Sequence, residues 1–154
     1  MKKSTKSLKK LCTLALILTC VGILFSSCSS MSSLKDGKYK AEFADPDDHG
    51  WTDYVNITVT DSKISEVTFD SLSADGKLKT EDKDYEESMK KAGSSTVPNE
   101  FYKKLAAELV SKQKIGDVEV VAGATTTSND FKKLVKELEK SMKKGDTNTL
   151  KVAR

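Results

Sequence analysis

Histidine and tryptophan occur once each in this 154-residue chain, as His49 and Trp51, and proline only twice. A single imidazole confines any Ser-His-Asp triad to the loop around residue 49, and no Gly-x-Ser-x-Gly turn is present to carry a serine nucleophile. A zinc site gains no support either, since no second histidine or cysteine stands at ligand spacing from His49. Gly-x-x-x-x-Gly-Lys and Gly-x-Gly-x-x-Gly are both missing, which removes the usual nucleotide loops. No cysteine follows Cys28, the other two being Cys12 and Cys20. The bulk of the chain therefore forms no internal disulfide and must be held by its core. Acidic residues are absent before Asp36, and that absence decides how the net charge is read. The total of +3 comes from 26 basic and 23 acidic residues. Five of the lysines (Lys2, Lys3, Lys6, Lys9, Lys10) sit at the start; without them 21 positive face 23 negative residues. The basicity belongs to the leader, so nucleic acid is not an implied partner.

That leader has a cationic head followed by an apolar run over residues 11–25, short and abruptly ended, as in a secretory signal peptide. The run closes on Leu24, Phe25, Ser26, Ser27 and Cys28. This resembles a bacterial lipoprotein cleavage box, with Phe25 a less usual occupant. The resemblance implies a signal peptide over residues 1–27, acylation of Cys28, a polar tether over 28–37 and a domain over 38–154. A plain signal peptide cut near Ser30, or an uncleaved anchor, would fit the same leader.

Beyond the tether, KYKAEF (38–43) reads as a first strand. ADPDDHG forms a loop in which His49 stands among Asp45, Asp47 and Asp48, a pattern of a solvated turn. YVNITVT (54–60) places Val55, Ile57 and Val59 on one face, and ISEVTF (64–69) follows after a hairpin-length connection. Residues 71–82 are polar, with a turn at Ala74-Asp75-Gly76; Asp75, Glu81, Asp82 and Asp84 lack the alternation of a calcium loop. Helices are expected over 83–91, with Tyr85 and Met89 four apart, over 99–112 following Pro98, and over 130–144. The last carries Phe131, Leu134, Val135, Leu138 and Met142 as an apolar stripe, and its lysines interspersed with Glu137 and Glu139 form a wet face. DVEVV (117–121) reads as a third strand and 149–152 as an edge strand. The class is α+β, a small, mainly antiparallel sheet with helices packed on it.

The stretch VVAGATTTSNDF (120–131) holds the densest chemistry. Gly123 permits close approach of a ligand to the backbone, Ala124 adds little bulk, and a helix follows whose free N–H groups and dipole favour an anion. Thr127 or Ser128 is the expected N-cap, and Thr127 with Asp130 approximates a capping box. Capping leaves Thr125 over. The pattern fits a phosphate site and equally an ordinary Thr-rich turn. Trp51 reads as a core or rim residue; a flat aromatic ligand would also want such a neighbour.

Glu119-Val120-Val121-Ala122-Gly123-Ala124-Thr125, then Thr127-Ser128 and Phe131, resembles the Asp-x-x-Ser-Gly-Ala-Thr motif of the FMN-binding domain family. That family includes flavin-carrying subunits of sodium-translocating quinone reductases and Rnf-type complexes. It also includes extracytoplasmic flavin lipoproteins of Gram-positive bacteria, some described as pheromone lipoproteins. DGKYKAEF, WTDYVNITVTDSKISEVTFD, DGKLKTEDKDYEESM and GDTNTLKV resemble the lipoprotein branch, so the likeness spans nearly all of the exported chain. It implies FMN linked by a phosphodiester to Thr125, installed by a separate FMN transferase using FAD and magnesium. Ala122, Gly123, Ala124, Thr126 and Thr127 would line the phosphate, with Trp51, Tyr85 and Met89 near the ring. The implied role is an electron carrier on the outer side of the membrane, meeting redox partners there, and not a complete enzyme. A flavin-free surface lipoprotein serving as a binding or adhesion module is the alternative. Two positions depart from the motif: Ala122 replaces a hydroxyl residue and Glu119 an aspartate.

Overall fold

The computed structural model describes residues 33–154; Cys28 and the leader lie outside the described residues. Three strands open the domain: β1 (Gly37–Phe43), β2 (Thr52–Thr60) and β3 (Lys63–Leu72). Helices α1 (Lys83–Lys91), α2 (Pro98–Lys112) and α3 (Thr125–Lys144) follow, and β4 (Leu150–Val152) closes it. The sheet order is β3-β2-β1-β4, antiparallel except that β4 runs parallel to β1. The class is α+β, as the sequence indicates.

The strands form where apolar residues alternate, because a half-buried sheet needs a period of two. Tyr39, Ala41 and Phe43 of β1, and Val55, Ile57 and Val59 of β2, all point inward and are buried. Opposite them lie Leu105 and Leu109 of α2 and the expected stripe of α3, Phe131, Leu134, Val135, Leu138 and Met142. Phe69 of β3 joins the layers, its ring 4.6 Å from Tyr102 and 4.7 Å from Phe131. Asp61 and Ser62 form a two-residue hairpin with φ of 53° and 61°, the left-handed pair that a type I′ turn requires. Their N–H groups donate to the Asp36 carboxylate at 3.1 and 2.9 Å.

Gln113 ends α2 in the left-handed conformation, φ 58°. Its side chain then acts as a clamp on β3: Nε2 donates to Ile64 O at 2.7 Å, and Oε1 accepts from Ile64 N at 2.9 Å. Of the stretch expected as tether, residues 34–37 are docked on the domain. Leu34 packs on the core, Lys35 N donates to Met142 O at 2.9 Å, and Gly37 already opens β1. Among the described residues no helix is long and apolar enough to cross a membrane.

Two expectations are corrected. Residues 117–121 do not form a strand: Ile115–Asp117 is a short 3-10 turn and the following residues are an extended connector. Val118 and Val121 are buried while Val120 is exposed, a spacing of three that no sheet partner completes. The backbone there is satisfied by side chains, Glu119 N on Glu108 Oε2 at 3.3 Å and Val121 N on Ser128 Oγ at 3.0 Å. In addition, α3 begins at Thr125, five residues before the expected start, with Ala124 as N-cap and no side-chain cap. Thr127 and Ser128 are therefore inside the helix, and no capping box forms.

Candidate functional site

The site grows from the turn Val121-Ala122-Gly123-Ala124, closed by Ala124 N donating to Val121 O at 3.0 Å. Gly123 occupies its third position with φ +80°, which favours a residue without Cβ. The segment Ser94-Ser95-Thr96 presses on it: a Cβ at Gly123 would stand 2.8 Å from Ser95 Oγ and 3.3 Å from Thr96 Cγ2. Ala124 buries its methyl group, and its carbonyl accepts from Ser128 N at 2.9 Å. The first helical bond thus starts at Ser128. The N–H groups of Thr125, Thr126 and Thr127 precede it and have no intrahelical acceptor.

Of the four hydroxyls in the tract, one is consumed internally. Ser128 Oγ donates to Ala124 O at 2.8 Å and accepts from Val121 N, tying connector to helix. Thr125 and Thr126 are exposed, Thr127 half-buried. No acidic residue occupies the first turn. Three free N–H groups, a helix dipole and outward hydroxyls make a place for a phosphate.

A cleft of about 330 Å³ opens beside this turn, lined by Asp47, His49, Lys79, Thr126, Thr127 and Arg154, with Asp48, Asp53 and Asp130 completing the wall. Asp47 shapes its rim by accepting from His49 N at 2.9 Å and Trp51 N at 2.8 Å. Arg154 spans it, its guanidinium 2.8 Å from Asp130, 3.6 Å from Asp53 and 4.1 Å from the Phe43 ring centre. Partial burial, then the neighbouring charge of Asp53, hold the Asp130 carboxyl above the usual range, and Arg154 opposes that rise. Below lies buried Asp53, on whose Oδ1 the hydroxyls of Ser71 and Tyr102 converge, Tyr102 at 3.0 Å. Burial and that carboxylate push the Tyr102 phenol far up, so it stays a neutral donor.

Lys79 is the buried cation of the wall. Its ammonium stands 5.2 Å from the Trp51 ring centre and 4.8 Å from that of Tyr85. The two rings meet edge to face at 6.0 Å. Burial lowers the Lys79 ammonium below the ordinary lysine value, and Asp47 and Asp53 oppose that fall.

The model of the FMN-binding domain family matches residues 50–140. The chain belongs to that family. Residues 50–140 of this FMN-binding domain protein include Gly123, Thr125, Trp51, Lys79 and Tyr85, whereas Phe43 and Arg154 lie outside them. It is 35% identical over 109 residues to the 15 kDa lipoprotein of Treponema pallidum (strain Nichols), covering 71% of this chain and 76% of that protein. A crystal structure from Clostridium perfringens superposes with a TM-score of 0.75 at 38% identity, covering 79% of this chain and 98% of that one. A solution structure from Clostridium thermocellum gives a TM-score of 0.47 at 26% identity, covering 79% and 98%.

The expected site residues fall into two groups in this family member. Ala122, Gly123, Ala124, Thr125, Thr126 and Thr127 form the turn and first helical turn. Trp51 and Tyr85 join them through Lys79, which lines the same cleft as Thr126 and Thr127. Met89 instead packs half-buried against the main core. His49, read as part of a solvated turn, is exposed but lines the cleft. Lys79, Asp53, Asp130 and Arg154 were not legible as site residues. Their sequence separation hides them, and a lysine in a polar run carries no local signal.

The residues present fit FMN. The uncapped turn suits its phosphate, Gly123 leaves the backbone bare, and the aromatic-flanked cleft, where Lys79 and Arg154 stand among Asp47, Asp48, Asp53 and Asp130, suits a polar ring system.

Proposed function

We propose that the chain is a membrane-anchored, extracytoplasmic flavoprotein that holds FMN on Thr125 and relays electrons between redox partners. The observation that carries this reading is the uncapped first turn of α3, where three N–H groups and the exposed Thr125 hydroxyl follow the Gly123 turn. The N–H groups of Thr125, Thr126 and Thr127 would hold the phosphate, with Ala122 and Gly123 leaving it room. FMN supplies the redox chemistry when bound; the chain supplies position and charge.

Thr125 would be loaded by a separate FMN transferase using FAD and magnesium. Its hydroxyl oxygen bonds to the FMN-side phosphorus of FAD, the phosphoanhydride bond breaks, AMP leaves, and the hydroxyl proton passes to solvent. The lipid on Cys28 would hold the domain at the membrane, a reading supported by the 15 kDa lipoprotein relative. A carrier role is favoured over catalysis because Arg154, Asp130 and Asp53, which stand in the cleft beside Thr126 and Thr127, are engaged with one another. Arg154 is committed to Asp130 and Asp53, and Ser71 with Tyr102 to Asp53.

The test is intact-protein mass after co-expression with the transferase. One FMN less one water should be added, and Thr125→Ala should abolish it. An unmodified wild-type mass, together with no FMN retained on reconstitution, would end this reading. A Thr125→Ala protein with unchanged spectrum and electron-transfer phenotype would favour the flavin-free binding or adhesion module.

A further inference from the structure

Lys79 is 6% exposed, yet it sits in a polar stretch far in sequence from the Gly123 turn. Burying an ammonium is costly unless it is hydrogen-bonded or paired. Here the stem is buried while the nitrogen keeps access to the cleft, since among the described residues no buried side-chain nitrogen or oxygen lacks a hydrogen-bond partner. Among the described residues its one ion pair is Asp47, at 3.8 Å, and it makes no hydrogen bond within the protein. The flanking Trp51 and Tyr85 rings attract it through their faces, a contribution of about 0.5–2 kcal/mol in general. Asp53, Asp70 and Arg154 are the other charges that act on it. The donors of this ammonium are therefore left for something in the cleft that it lines with Thr126 and Thr127. On the flavin reading the phosphate would take the helix N–H groups, so a second anionic centre is the natural recipient.

We propose that Lys79 is the charge partner of the flavin ring, binding the edge that becomes negative on reduction and thereby setting the potential of the bound cofactor. This rests on the flavin reading above. Two electrons and one proton taken from an external reductant leave one net negative charge on the ring, delocalised over its pyrimidine edge. A fixed ammonium there stabilises the reduced form more than the oxidised one, the protein's lever on a cofactor being charge placed near its ring nitrogens. Lys79 is a positioning and tuning residue in this scheme, with no part in covalent loading.

The experiment compares flavinylated wild type, Lys79→Met, Lys79→Arg and the surface control Lys63→Met. Each is prepared by co-expression with the transferase and titrated spectroelectrochemically, with intact mass reporting loading. Methionine keeps the unbranched stem between the two rings and removes only the charge. Lys79→Met should load as wild type does but disfavour the reduced form tenfold or more, about 30 mV lower for a two-electron couple. Lys79→Arg should recover most of that shift, and Lys63→Met should leave the potential unmoved. Loaded Lys79→Met with a wild-type potential would overturn the proposal, as would loss of loading with no shift in the fraction that loads. An unloaded, colourless wild type would instead overturn the flavin reading on which it rests.

Discussion

Replacing Gly123 by alanine is expected to destabilise the domain by about 2 kcal/mol, and the structure divides that figure into two parts. Gly123 holds φ +80°, and an L-residue in the left-handed region costs roughly 1–2 kcal/mol. The second part is contact. The new Cβ would fall 2.8 Å from Ser95 Oγ and 3.3 Å from Thr96 Cγ2. Ser95 is exposed and its hydroxyl rotates away cheaply, whereas Thr96 is buried and yields less, so contact adds under about 1 kcal/mol. Urea unfolding of wild type, Gly123→Ala, Ser95→Ala and the double mutant separates the parts by a double-mutant cycle. Ser95→Ala in the Gly123→Ala background should recover only the smaller share. Gly123→Asn should cost less than alanine in backbone terms, since asparagine visits the left-handed region more readily. A Gly123→Ala protein within about 0.5 kcal/mol of wild type would refute the left-handed turn, and with it the placement of Thr125 at the first helical position.

Three further perturbations follow from the packing. Gln113→Ala removes the bonds to Ile64 N and O and should cost about 1–3 kcal/mol by thermal or urea unfolding; Gln113→Gly should restore the left-handed cap but not those bonds. Tyr102→Phe deprives buried Asp53 of a donor and should cost about 1–3 kcal/mol by urea unfolding. Arg154→Ala removes the charge that opposes the upward shift of Asp130, so the carboxyl resonance of Asp130 should titrate higher still by NMR. The sign for stability follows. A carboxyl whose folded value is raised contributes stability below its unfolded range and loses it as pH climbs through the folded value. Arg154→Ala should therefore lose more stability at neutral pH than in acid.

Strands β2 and β3 were legible because one face of each meets the core: Val55, Ile57 and Val59 can only alternate if they are half-buried. The α3 stripe was legible for the corresponding reason at the helical period. The failures came where a residue's partner is neither periodic nor near. Val118, Val120 and Val121 have strand composition, but the chain there hands its N–H groups to Glu108 and Ser128 side chains instead of to a strand. The hydroxyl tract favoured a late helix start because serine and threonine are good caps. The deciding contact is Ser128 Oγ reaching Ala124 O and Val121 N, which works only with Ser128 already inside the helix. Lys79 and Arg154 reach the cleft from separate elements, and nothing local to either distinguishes it from a surface cation.

The direction in which β1 runs has a consequence of its own. The chain comes in at Asp36, beside the β2–β3 hairpin tip that Asp36 holds. The cleft lies at the other end of the strand, where Phe43 meets Arg154 and β2 begins at Thr52. Seven strand residues separate these poles, roughly 23 Å. The domain is built like a plug whose cord enters at the back. Within the described residues the chain thus enters the domain at the pole away from the Gly123 turn, and the cleft is built by segments that come later in the sequence.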